Sequence, residues 1–458
     1  MPNIEHVVVL MLENRSFDCM LGSLYPKSDR FDGLDGSEWN PWHRSDGGIE
    51  KISVWNSPDL TPAAVCIPDP DPGELFTDMT TQLFGDTTTP CGIPPMTGFV
   101  DNYMNQPAAQ RPYDPRAVMH YFTPDQIPVM TELAHAFGVS DRWHASAPCE
   151  TWPNRYFAHC GTSGGWVNNE RSRFPHRWPR TMPTIFRRLD RAGYRWKVYF
   201  HDVPQAGTLL DLWLKVPTNF CFYDAEFRRD ARCGRLPHYS FIEPRYYANI
   251  VTKKLPNDQH PPHNLVYGEQ LIASVYNALR NSPCWERSLL VITYDEHGGC
   301  YDHVPPPIAV APGGPYPDNF KFDRYGVRVP ALIISPYVAP GSIIRPPAGA
   351  AHPFDHASIP ATLHKLFDLG APMTERVAAA PDLLCALNLP DPGNPGPAHV
   401  EATPHRAHRS EIRAHRRRPR NRHQRMLRSA SVAVPGVVAS FTASIRSIGT
   451  RLHPHGHR

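Results

Sequence analysis

Two short segments carry side chains suited to holding a hard cation: Glu13 and Asn14, within IEHVVVLMLENRSFD at residues 4–18, and Asp295 and Glu296, within SLLVITYDEHGGCYDHV at residues 288–304. All four offer oxygen, which suits one divalent Mg²⁺, Ca²⁺ or Mn²⁺ better than a zinc site built from Cys and His. A cation held there could bind a phosphoryl oxygen and lower the pKa of a hydroxyl, making it a nucleophile at neutral pH. The hydroxyl is to be sought in SAPCETWPNRYFAHCGTSGG, residues 146–165, where Thr151 stands just ahead of Asn154 and Arg155. An amide and a guanidinium so close can hold phosphate oxygens. Spacing alone leaves Ser146, Thr162 and Ser163 open as well. The bland alternative makes Glu13 to Ser16 a helix cap and DEHGG a solvated turn. Two adjacent oxygen ligands after each of two similar apolar runs weigh against it.

Those runs must position the ligands. Val7 to Leu12 and Leu289 to Tyr294 are unbroken, rich in β-branched residues and too short for independent helices, so they read as strands buried on both faces, as in a parallel sheet. In open α/β sheets ligands bind beyond the carboxyl ends of strands, where both acidic pairs fall. Helix and strand patterns then alternate. Residues 125–138 carry a helical stripe ending at Gly138, Met182 to Ala192 reads as a helix stopped by Gly193, and Tyr194 to Phe200 as a strand ending at His201 and Asp202. Gly268 to Asn281 and Ala357 to Leu369 read as helices, and Val329 to Ser335 as a strand. The alternation predicts an α/β fold with a mostly parallel sheet flanked by helices on both faces. Residues 21–124 read as a long elaborated insertion with no assignable structure, and the catalytic domain is expected to end near residue 392.

The length of 458 residues and a hydrophobic content of 41% allow a large buried core, while 52 prolines and 30 glycines imply long ordered loops of the kind that shape a site. The formal charge of +3 hides an asymmetry. Thirteen of the 47 basic residues, all arginine, follow residue 400, against only Glu401 and Glu411, so a mildly acidic body carries a basic tail. The tail, 393–458, has too little apolar surface to fold alone and reads as disordered, with peripheral attraction to anionic membrane as its functional reading; no specific nucleic acid is expected. Ser431 to Ile445, interrupted by Pro435 and Gly436, is too short to span a bilayer. No secretory leader is visible, which favours a cytoplasmic or peripheral membrane location over secretion. Ten cysteines lie without zinc-type spacing, and Cys66 with Cys91, Cys149 with Cys160, and Cys221 with Cys233 could pair in an oxidising compartment.

Six ordered segments, ENRSFDCMLG (13–22), ETWPNR (150–155), NDQHPPHNLVYGE (257–269), YDEHGGCYDHVPPP (294–307), FDRYGVRVPALIISP (322–336) and FDHASIPATLHKLF (354–367), resemble the phosphoesterase family of bacterial phospholipases C, plant non-specific phospholipases C and related acid phosphatases. The resemblance implies an alkaline-phosphatase-like core and a metal site of Glu13, Asn14, Asp295 and Glu296, with Thr151 as metal ligand and nucleophile. In the acid phosphatase relatives a serine takes that place. His260 corresponds to a histidine of the family's phosphate pocket, and His201 is carried over on flanking residues that match less closely. His297 and His303, in the turn after Asp295, could support the ligands or donate to the phosphate. His356 reads equally as a helix-entry residue, and His352 has no reading. The implied activity is hydrolysis of a phospholipid or other phosphate ester, first as a phospholipase C releasing diacylglycerol, alternatively as an acid phosphatase on the same site. A lipid-binding protein acting through its basic tail is the rival from another class. Large bacterial relatives carry added β-rich domains and secreted ones a twin-arginine leader, neither seen here. Cys19 and Cys300 stand where relatives often have other residues.

Overall fold

A computed structural model describes residues 2–61, 63–86, 92–107, 114–169, 182–418 and 420–433. Its strands are β1 (His6–Leu12), β2 (Trp39–His43), β3 (Ile49–Ser53), β4 (Gly138–Val139), β5 (Trp196–Phe200), β6 (Phe220–Phe222), β7 (Tyr239–Glu243), β8 (Ser288–Tyr294), β9 (Ala331–Ile334) and β10 (Ser342–Ile343). Its helices are α1 (Phe17–Leu21), α2 (Phe76–Phe84), α3 (Phe99–Met104), α4 (Pro128–Ala136), α5 (Thr151–Cys160), α6 (Ile185–Arg191), α7 (Val216–Asn219), α8 (Arg228–Arg232), α9 (Leu265–Arg280), α10 (Ser358–Phe367), α11 (Glu375–Ala379), α12 (Arg409–Arg417) and α13 (Arg422–Ala433).

Eight strands form one sheet in the order β10-β4-β9-β8-β1-β7-β5-β6. β8, β1, β7, β5 and β6 run parallel, while β9 is antiparallel to both of its neighbours. This is the mostly parallel α/β sheet that the apolar runs require. β1 and β8 are buried along their whole length, because helices cover both faces and leave no side for polar alternation. Their register pairs Leu12 with Tyr294, so Glu13 and Asp295 leave the sheet at the same level.

The insertion has structure of its own. β2 and β3 form a hairpin around the Asp46-Gly47-Gly48 turn, and α2 and α3 pack beside it on a separate core that includes Ile52, Leu83, Phe99, Val100 and Tyr103. The tail also departs from expectation. Val400, Ile412 and Leu427 are buried, Glu411 accepts a hydrogen bond from the Tyr267 hydroxyl at 2.9 Å, and α12 and α13 lie on the body. Composition measures whether a segment could fold alone; this one borrows a surface the body provides. The apolar stretch of the tail falls largely beyond residue 433, outside the described residues. Among the described residues no helix is long and apolar enough to cross a membrane.

Candidate active site

Glu13 and Asn14 follow β1 directly, and Asp295 and Glu296 follow β8; all four are fully buried. The two loops are stitched together by the Asn14 backbone N–H donating to Asp295 Oδ1 at 2.9 Å, and the Glu296 N–H donates to the same oxygen at 2.8 Å. Asn14 adopts a left-handed backbone with φ 54°, a conformation asparagine tolerates better than most residues. Gly298 makes the approach feasible: at φ +60° a Cβ there would lie 2.5 Å from the Asn14 carbonyl oxygen. Glu13 Oε1 accepts from Gln205 Nε2 at 2.7 Å and from Arg155 at 2.5 Å. Burial pushes the Glu13 carboxyl well above the usual range despite the opposing Arg155 charge, and burial followed by Glu74 and Asp295 does the same to Glu296.

α5 supplies the next layer. Its ten residues are all buried, and Pro153 falls within its first turn, where a missing N–H costs nothing. Gly161 ends it in a left-handed conformation. Arg155 donates to Glu13 Oε1, to Asp295 Oδ2 at 3.3 Å and to the Met11 and Leu12 carbonyls at 3.1 Å each, so it braces the carboxyl end of β1. Thr151 lies one turn earlier on the same helix face, at the N-terminal position where the helix dipole favours negative charge. The Asn154 amide is spent locally: it bonds the Ala147 N–H and the carbonyls of Ala147 and Cys149, shaping the approach to Thr151. Asn169 Oδ1 accepts from the Trp152 N–H at 2.8 Å at the start of the helix, and Glu150 is pinned by the Asn169 N–H at 2.5 Å and Arg422 Nε at 2.6 Å. Burial outweighs those partners and carries its carboxyl up to about 7.

His260, fully buried, has Nε2 3.1 Å from Glu74 Oε1 and Nδ1 3.5 Å from Asp71 Oδ1. Burial opposes its charge, but Asp71 and Glu74 prevail and hold the imidazole well above its ordinary range. Glu74 also accepts from Asn14 Nδ2 at 2.6 Å, which joins this trio to the ligand loops. His423, from α13, is buried with its Nε2 3.8 Å from Glu13 Oε2 and its ring stacked 6.2 Å from His260, and Asn421 Nδ2 reaches His260 Nδ1 at 3.3 Å. Sequence reasoning passed over Asp71, Glu74, Glu150, Gln205 and His423. Asp71 and Glu74 sit in the insertion, whose proline-rich PDPDPGE gave no period to read; a buried-type histidine amid arginines was the one signal for His423.

Other residues considered from sequence lie around this centre or apart from it. His297 turns Nε2 to Gln82 Oε1 at 2.8 Å, behind Glu296, and burial lowers it to about 3. His356 accepts from Trp143 Nε1 and places Nε2 2.6 Å from the Asp295 carbonyl, buttressing the end of β8. His303 belongs to a different cluster, with Nδ1 2.7 Å from Asp18 and Nε2 3.1 Å from Asp32. Asp18, Asp302 and His303 have the spacing of a metal cluster, but Arg328 already fills it, donating to Asp18 at 2.9 Å and Asp302 at 3.0 Å. His201 stacks on Tyr223 and bonds the Glu243 carbonyl at 2.9 Å, lining a cavity of about 590 Å³ with Arg245 and Lys254 rather than with the four ligands. Ser146 donates to Asp355 at 2.8 Å.

A hard cation fits the donors present. Glu13 Oε2, Asn14 Oδ1 and Glu296 Oε1 are buried oxygens with no hydrogen-bond donor, as is Asp71 Oδ1, while Arg155 Nη1 is a buried donor with no acceptor. Leaving such atoms unsatisfied is costly unless an ion and an anion complete them. Oxygen donors of this kind suit Mg²⁺, Ca²⁺ or Mn²⁺.

A family model described as the phosphoesterase family matches residues 4–370. Non-specific phospholipase C1 of Arabidopsis thaliana is 42% identical over 80% of this chain and 67% of its own length. Non-specific phospholipase C3 of the same plant is 38% identical over 88% and 76%. Phospholipase C A of Mycobacterium tuberculosis is 29% identical over 86% and 79%.

Proposed function

Because the chain belongs to the phosphoesterase family, we propose that it is a cation-dependent phospholipase C, cleaving glycerophospholipids to diacylglycerol and a phosphorylated head group through a phosphothreonine intermediate. The observation that carries this reading is the convergence of Glu13, Asn14, Asp295 and Glu296 at two adjacent strand ends, with unpartnered buried oxygens beside carboxylates that Arg155 of α5 braces. Glu13, Asn14, Thr151, Asp295 and Glu296 would hold the cation, which supplies positive charge against the phosphoryl oxygens and the nucleophile. Thr151, its hydroxyl proton first released to solvent, attacks phosphorus in line through Oγ; the P–O bond to diacylglycerol breaks, and the departing alkoxide takes a proton from His260, held charged by Asp71 and Glu74. Water then hydrolyses the threonine–phosphoryl bond. Arg155 Nη1, the buried donor with no acceptor, would take a phosphate oxygen.

The test is purified protein with phosphatidylcholine, p-nitrophenylphosphorylcholine and p-nitrophenyl phosphate, each with EDTA or with Mg²⁺, Ca²⁺ or Mn²⁺. Thr151→Ala should lose at least about 10³-fold in kcat, and intact mass spectrometry of quenched wild-type enzyme should find the head-group phosphoryl on Thr151. Normal turnover by Thr151→Ala removes the proposed nucleophile. Turnover of the monoester alone replaces the phospholipase reading with the phosphatase one.

A further inference from the structure

Two cysteines stand on the loops that carry the ligands. Cys19 lies in α1, five residues beyond Asn14, and Cys300 lies four beyond Glu296; both are buried free thiols. The two thiols are neighbours, and Arg15 Nη1 lies 3.9 Å from Cys19 Sγ. The residues just before Cys19 are bonded to those just after Cys300: Ser16 Oγ donates to the Tyr301 carbonyl at 2.6 Å and accepts from the Cys19 N–H at 3.1 Å, and the Asp18 N–H donates to Asp302 Oδ2 at 3.2 Å. The cysteine pairs that loop spacing suggested are not bonded: Cys149 and Cys160 are separate free thiols at the two ends of α5, Cys221 and Cys233 are likewise free, and Cys91 lies outside the described residues.

We propose that Cys19 and Cys300 are a built oxidation site, forming a reversible disulfide with hydrogen peroxide as oxidant and thereby joining the two ligand loops covalently. The Cys19 sulfur attacks one peroxide oxygen, breaking the O–O bond and releasing water as Cys19 becomes a sulfenic acid. The Cys300 sulfur then attacks the sulfenic sulfur, the S–O bond breaks, and a second water leaves. Two thiols are oxidised and one peroxide is reduced to two waters. Cys19 is the attacking partner: burial resists its ionisation, but the Cys300 thiol and the Arg15 guanidinium outweigh burial and hold it below the usual thiol range. The hydrogen bonds from Ser16 and Asp18 to Tyr301 and Asp302 already hold the two segments together. The cross-link spans most of the chain and so restricts the unfolded state strongly. It leaves the four oxygen ligands and Thr151 untouched, and does not depend on which ester is hydrolysed.

The experiment first blocks accessible thiols of the native, full-length protein, including the exposed Cys233 and Cys385, with N-ethylmaleimide. Hydrogen peroxide follows, then peptide mapping without reduction. The expected result is one linked peptide pair containing Cys19 and Cys300, two hydrogens lighter than its components, released by dithiothreitol, with Tm raised by about 4 °C over the reduced protein. Cys300→Ser should give no linked pair and no Tm shift; Cys19→Ala serves if that variant does not fold, and the wild-type map decides alone if neither does. Free thiols at both positions after prolonged exposure, or sulfinic acid at either without a linked pair, overturns the proposal.

Discussion

Replacing Arg155 with methionine keeps most of the side-chain volume and removes the charge that braces the ligand strands. The guanidinium makes charge-assisted bonds to Glu13 at 2.5 Å and Asp295 at 3.3 Å, and two to carbonyls of β1. Each bond to a carboxylate is worth about 1.5–3 kcal/mol and each to a carbonyl about 1 kcal/mol, but they share one group and do not add fully. Breaking a buried pair costs about 3–5 kcal/mol, because the surviving carboxylates stay in the interior without a counter-charge. About 4 kcal/mol is therefore expected in EDTA. A bound divalent cation neutralises the same carboxylates, so the deficit should shrink by about 2 kcal/mol when Mg²⁺, Ca²⁺ or Mn²⁺ is saturating. Urea unfolding of wild type and Arg155→Met at one fixed pH measures both numbers. An equal deficit with and without cation would refute the idea that Arg155 and a cation serve the same carboxylates. A variant as stable as wild type in EDTA would refute the brace itself.

Two further outcomes follow from charges outside the ligand set. Burial works against the charge of His303, but Asp18 and Asp32 raise its pKa to about 10; the folded value exceeds the unfolded one, so its contribution is complete below about pH 6.5 and is lost as pH rises toward 10. Urea unfolding at about pH 6 and pH 9.5 should show a fall of about 4 kcal/mol in wild type that is absent in His303→Gln; parallel falls in both would contradict this. Arg422→Ala removes the partner of the buried Glu150 carboxylate, and because Arg422 is itself more than a third exposed the loss should be only about 1 kcal/mol. Hydrogen exchange in residues 420–428 should rise in that variant, and unchanged protection would mean α13 is held by Gln424 and Leu427 instead.

The strand ends were legible because buried parallel strands must be apolar throughout, and an abrupt change to Glu-Asn or Asp-Glu has few structural uses. Helix ends were read to within a few residues: Leu265–Arg280 for a reading of 268–281, and Ser358–Phe367 for 357–369. The insertion resisted because its residues serve a second, smaller core and a turn-rich segment carrying Asp71 and Glu74, where no period exists. The spacing around Asn154 gave its residue type but not its direction, since its amide turns back onto the loop that leads to Thr151. His303 misled for a similar reason: adjacency to Asp295 in sequence does not survive the Gly298-Gly299 turn, which sends the following residues toward Asp18. The tail was misjudged from composition, which speaks to independent folding and not to docking.

The placement of α13 over Glu13 and His260 has a practical consequence. The segment leading to it carries Arg416, Arg417, Arg418 and Arg420, all exposed, which is the preferred substrate of trypsin-like proteases. A single cut there would leave every family motif, the sheet and the ligand loops untouched while detaching the helix that delivers His423. Two preparations of the same gene product, indistinguishable by motif, would then present different walls to an incoming ester. Comparisons of substrate preference should therefore begin with proof that the peptide bonds between Arg416 and Arg422 are whole.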